Sequence, residues 1–168
     1  MDKRYLFIFI IVFLCCINLY LIVINSDEVG SASVAAGDYI CTIPQGFSLY
    51  ESKKNSVNLF DEDSKIVINV YSYLSKNDTY NRKMVEINNN SNAVVLSNGT
   101  INVEDMTIYS IFYRVVDNNQ NRSTFYFTKD NNTFRILITD FNYENDYNKI
   151  LEYANIISTS MRRDYRMY

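Results

Sequence analysis

The longest hydrophobic run in the chain, Tyr5–Ile24, carries no charge and is apolar all round a helix. At about 1.5 Å per residue it spans roughly the 30 Å of a hydrocarbon core, so the pattern predicts a transmembrane signal anchor contacting the lipid bilayer. Lys3 and Arg4 precede the run, Asp27 and Glu28 follow it, and the next Lys or Arg is Lys53. The positive-inside rule then leaves residues 1–4 in the cytoplasm and residues 25–168 outside, a single-pass cell-membrane protein with an extracytoplasmic C-terminal domain. A cleaved signal peptide competes, because Ser33-Val34-Ala35 offers a small-residue cleavage pattern, although its apolar core would be shorter. A lipoprotein signal needs small residues where Val12-Phe13-Leu14 precede Cys15. A pilin-like leader needs Gly or Ala where Arg4 stands, and a Glu inside the run. Cys15 and Cys16 read as small hydrophobes at mid-membrane, and Asn18 as a weak helix-pairing donor.

Residues 25–38 are small and polar and read as a flexible linker. From 39 the pattern becomes period two. Tyr39–Ile43, Phe47–Glu51 and Ser56–Phe60 are short strand candidates, with punctuation at Pro44 and Gly46. Lys65–Leu74 predicts a strand with Ile66, Ile68 and Val70 on one face and Val67, Asn69, Tyr71 and Tyr73 on the other. Asp78 is positioned to cap a helix carrying Tyr80, Met84 and Ile87. Asn98-Gly99 predicts a type I′ hairpin turn between Ala93–Ser97 and Thr100–Glu104. Met106–Val116, Ser123–Lys129 and Thr133–Thr139 continue as an antiparallel meander through turn-rich links.

The last element is an amphipathic helix capped by Asn145 or Asp146, with Tyr147, Ile150, Leu151, Ala154, Ile157 and Met161 on one stripe. Its partners should be Phe125, Phe127, Phe134, Ile136 and Ile138. The fold class expected for residues 39–168 is therefore α+β: an antiparallel β-sheet packed by a mid-chain helix and a C-terminal amphipathic helix, preceded by one transmembrane helix.

Charge and composition narrow the function. From residue 39 onward the Lys plus Arg and the Asp plus Glu nearly balance, which argues against nucleic-acid binding. The basic cluster Arg162, Arg163 and Arg166, interleaved with Tyr165 and Tyr168, reads as a solvated helix end. The chain has no His, which removes Ser-His-Asp and Cys-His catalysis and imidazole metal ligation. The domain has one cysteine, Cys41, and so no internal disulfide. Five sequons, at Asn77, Asn89, Asn98, Asn121 and Asn131, fall at predicted loops or helix ends; in so Asn-rich a chain their number says little.

Asp61-Glu62-Asp63 reads as a solvated acidic turn without calcium-loop spacing, and no cofactor or metal is expected. Glu104, Asp105 and Asp140 at strand ends are the residues an envelope hydrolase would use as paired acids. The opposite sheet face is the better candidate. Alternation brings Tyr71, Tyr73, Tyr126, Arg135 and Leu137 together there, and Tyr and Arg are enriched where proteins recognise partners. Such a face suits an envelope protein or a glycan.

Tyr39-Ile40-Cys41-Thr42-Ile43-Pro44-Gln45-Gly46-Phe47 resembles the opening strand and turn of PsbP-like domains, and the order of elements that follows is similar to theirs. The resemblance implies an antiparallel sheet packed by helices and a role in binding rather than catalysis. It carries no catalytic motif and so transfers no site residue. The expectation is a membrane-anchored, non-catalytic binding or accessory module, with an envelope hydrolase or a structural surface subunit as the alternatives.

Overall fold

The computed structural model describes residues 32–165 apart from 76 and 104. The expected anchor Tyr5–Ile24, most of the linker, Glu104, Arg166 and Tyr168 lie outside the described residues. Among the described residues no helix is long and apolar enough to cross a membrane.

Among the described residues, ten strands and two helices follow one another in the order β1 (Ser33–Ala36), β2 (Tyr39–Thr42), β3 (Ser48–Lys53), β4 (Ser56–Phe60), β5 (Val67–Tyr71), α1 (Tyr80–Asn88), β6 (Ala93–Val103), β7 (Met106–Val115), β8 (Gln120–Lys129), β9 (Asn132–Thr139), α2 (Tyr143–Ser160) and β10 (Arg162–Arg163). Seven strands form one antiparallel sheet, ordered β3-β4-β5-β9-β8-β7-β6, and β1-β2-β10 form a small second sheet. This is the α+β architecture expected.

Register follows from burial. In β5, β8 and β9 the pairs Ile68↔Ile138, Val70↔Ile136, Phe125↔Ile136 and Phe127↔Phe134 put the fully buried apolar side chains on one face. A slip of one residue would turn them all to the other face. Helix α2 lies over that face, burying Ile150, Tyr153, Ala154 and Ile157. Each fully buried Ile or Phe contributes about 1.5–3 kcal/mol of transfer free energy, so this interface dominates the core. Cys41 is buried in the same core, and burial pushes its thiol pKa up to about 12.

Several elements differ from the pattern reading. The linker does not extend to residue 38: Ser33–Ala36 is β1, with Val34 and Ala36 buried, because its backbone pairs with β2 and its two apolar side chains reach the core. The β1–β2 turn has Gly37 at φ 68. Asn98-Gly99 makes no turn. Neither residue has positive φ, and β6 runs through both with a bulge near Leu96, because continuous pairing with β7 satisfies more backbone groups than an early reversal. Type I′ geometry occurs instead at Asp130-Asn131, with φ 51 and 61 between the paired Lys129 and Asn132.

Both helix caps shift as well. Thr79 caps α1, its hydroxyl accepting from the Arg82 amide, and Asn142 caps α2, accepting from the Glu144 and Asn145 amides. Asp146 reciprocates by accepting from the Asn142 amide at 2.8 Å. Arg162 and Arg163 are not a helix end; they pair with Ile40 and Tyr39 as β10.

Candidate functional site

Helix α1 crosses the sheet face opposite α2. Its Ile87 joins Ile111 and Tyr113 in a second, smaller core, flanked by Tyr80, Met84 and Val95. This covers the β6–β7 side and leaves the centre of the face beside the helix start.

What holds the helix start there is Asp78. Arg135 Nη1 donates to Asp78 Oδ2 at 2.6 Å, and the Tyr126 hydroxyl donates to Asp78 Oδ1 at 3.0 Å. The Arg135 guanidinium also lies 4.4 Å from the centre of the Tyr71 ring, a cation–π contact. Tyr71↔Arg135 and Tyr126↔Arg135 are cross-strand partners, so strand register alone aligns three of these four residues. Burial, and then the Asp78 charge, push the Tyr126 pKa up to about 12. Burial lowers the Arg135 pKa, but Asp78 and the Tyr126 hydroxyl outweigh it, so Arg135 ends above its ordinary value.

Of the four residues nominated from sequence, Tyr71, Tyr126 and Arg135 meet on this face. Tyr73 does not. The strand ends at Tyr71, and Tyr73, at φ 55, turns toward the small sheet. Its ring meets Tyr39 edge-on at 6.0 Å and its hydroxyl donates to Asp38 at 2.8 Å. Sequence reasoning missed Asp78 as the hub. As the residue before the cap it looked like a cap itself, and only the unmet charge of Arg135 on a half-buried face pointed to a carboxylate partner.

Beside this cluster lies an open groove of about 580 Å³. Its floor is Thr107, Tyr109, Tyr126, Thr128 and Thr133, all on the face opposite α2. One wall is the first turn of α1, Thr79, Tyr80 and Asn81; Asp105 and Met106, where β6 turns into β7, close one end. The Tyr80 and Tyr109 rings touch at 5.3 Å with a 41° tilt, and Tyr109 is 43% exposed. Among the described residues, no Lys or Arg lines the groove.

Of the nominated acids, Asp105 and Asp140 do not converge, and Glu104 lies outside the described residues. Asp105 immediately precedes β7, whereas Asp140 accepts from Gln120, the partner of Val115 at the far end of β7. At about 3.4 Å per residue they stand roughly 30 Å apart, against the roughly 5–9.5 Å that paired glycosidase carboxyls need. Asp61 is occupied by its own turn, accepting from the Asp63 amide at 3.0 Å and from the Ser64 amide and hydroxyl. The Ser64 hydroxyl bond comes first among the causes that hold its pKa low. Asn121, placed at a loop by its sequon, is instead in β8, donating to the Phe141 carbonyl and accepting from Arg114.

No family model matches the chain, and no curated protein matches it. Among solved structures it is similar to the solution structure of the cyanobacterial PsbP protein, CyanoP, from Synechocystis sp. PCC 6803, with a TM-score of 0.48 and 14% identity over 81% of this chain and 99% of that one.

Proposed function

We propose that residues 33–165 form a non-catalytic binding module, held at the outer surface of the cell membrane by Tyr5–Ile24, which captures a component of the envelope, protein or glycan, in the groove between α1 and the sheet. The observation that carries this reading is the groove itself. It is a half-polar, half-aromatic concavity within the size range of small-ligand sites, and the Asp78–Arg135–Tyr126 cluster fixes its wall. A wall tied by an ion pair is preorganised, so less ordering free energy is lost on binding. The separation of Asp105 and Asp140 counts against these two acting as the acid pair of a hydrolase.

A photo-crosslinking side chain at Thr128, which is exposed on the groove floor, tests this in intact membranes. One dominant adduct is expected from position 128 and none from Glu152 on the exposed side of α2. Equal or absent labelling at the two positions contradicts the reading.

A further inference from the structure

The geometry points to a neutral oligosaccharide as the ligand of this groove, stacked on Tyr109, a deepening that rests on the binding reading above. Four features select that chemistry. First, the described lining residues include a carboxylate, Asp105, and neither Lys nor Arg, so they offer an anionic ligand repulsion rather than attraction. Second, the Tyr80 and Tyr109 ring centres lie 5.3 Å apart at a 41° tilt, in direct contact with each other. A cage for an organic cation needs rings set apart with the cation between them, within about 6 Å of each centroid; these two leave no such space.

Third, the polar residues Thr107, Thr128, Thr133, Asn81 and Asp105 line the groove beside the tyrosines, the Thr107 hydroxyl already donating to Asn102. A wholly apolar ligand would strip water from these groups and return no hydrogen bonds. A sugar offers both halves of the match, an apolar ring face for the tyrosine and hydroxyls at its rim. Fourth, the floor is the middle of the sheet. Strands β7, β8 and β9 have their backbone groups paired on both sides, so an extended peptide cannot add there as another strand. The groove offers side chains only, and its volume of about 580 Å³ holds a short oligosaccharide.

The test is isothermal titration of the full chain in detergent micelles with cellotriose, maltotriose and chitotriose, and with trigalacturonate as the anionic counterpart. At least one neutral trisaccharide should bind, and trigalacturonate at least tenfold more weakly than that sugar. Tyr109→Leu keeps an apolar contact for Tyr80 but removes the ring, and should weaken binding at least tenfold. Tyr109→Phe keeps the ring and should stay within threefold. Thermal unfolding of each variant checks that the fold is kept, and Thr128→Val serves as a second groove variant, also weakening binding, should Tyr109→Leu fail to fold. Binding by none of the neutral sugars, preference for trigalacturonate, or equal binding by the Leu and Phe variants overturns the inference. A protein adduct from position 128 in membranes with no sugar binding would sink the glycan alone and leave the binding module standing; loss of both sinks the two together.

Discussion

Replacing Asp78 by Ala removes the acceptor shared by Arg135 and Tyr126, and the structure sets the size of the effect. Charges about 4 Å apart attract by about 4 kcal/mol at an effective dielectric of about 20. Desolvation cancels much of that, and hydrogen bonds to charged groups net about 1.5–3 kcal/mol. The Asp78 and Arg135 side chains are 28% and 23% exposed, so the pair falls between an exposed pair, worth about 0–1 kcal/mol, and a fully buried one whose breakage costs about 3–5 kcal/mol. Asp78→Ala should therefore cost about 2 kcal/mol. Arg135→Met removes the charge and its cation–π contact with Tyr71 while leaving an unbranched apolar side chain, so the double variant leaves no unpaired cation. A double-mutant cycle by urea unfolding of the full chain in micelles, followed by tyrosine fluorescence, should return a coupling of about 1–2 kcal/mol. Amide exchange should also speed up in α1 more than in α2, because Asp78 ties only the former. Additive variants, or a cost below about 0.5 kcal/mol, refute the assignment of Asp78 as the hub.

Other outcomes follow from the same structure. Gly37→Ala puts a Cβ at positive φ and 2.8 Å from both Ser72 Oγ and Tyr73 Cε2, so urea unfolding should show a loss of about 1–3 kcal/mol; Gly99→Ala, with nothing nearer than 4.0 Å, should be neutral or stabilising by up to about 1 kcal/mol. Cys41 and Tyr126 both have folded pKa values raised to about 12, from 9.0 and 10.0, so their contribution is complete below those unfolded values and is lost as pH rises toward 12. Equilibrium unfolding should show stability falling above about pH 9, by up to about 1.4 kcal/mol per pH unit for each group. Asp61 has a depressed pKa, so its contribution is present above the ordinary carboxylate value and disappears as pH falls through the folded one; Asp61→Asn should flatten the acid limb of the stability profile. Charge reversal at Lys3 and Arg4 should reduce the fraction of chains whose C-terminal domain is open to protease added outside intact cells.

The core was legible because period-two burial leaves little choice of register. Ile66, Ile68, Val70, Phe125, Phe127, Phe134, Ile136 and Ile138 are all buried where alternation placed them. The stripe on α2 was legible for the same reason, although Tyr153 is buried beside it, edge-on to Phe47 at 4.9 Å. The misreadings share a cause: short-range chemistry overruled by tertiary pairing. Asn98-Gly99 favours a turn locally, but long pairing with β7 carries β6 straight through it. Asp78 and Thr79 are both competent caps, and the cationic side chain across the face decides which one caps. Tyr73 fits the alternation, yet the strand ends two residues earlier. The groove was only half legible, since Thr107, Tyr109 and Tyr80 come together through the crossing of α1 over the sheet, which no local pattern encodes.

If the groove holds an envelope component, the Tyr109 side of the sheet is covered in the cell. Hydroxyl-radical footprinting of intact cells against purified protein tests it directly, comparing Tyr109 at 43% exposure with Tyr165 at 76%. Oxidation of Tyr109 should fall at least threefold in cells while that of Tyr165 stays unchanged. Equal oxidation of Tyr109 in the two settings would contradict it.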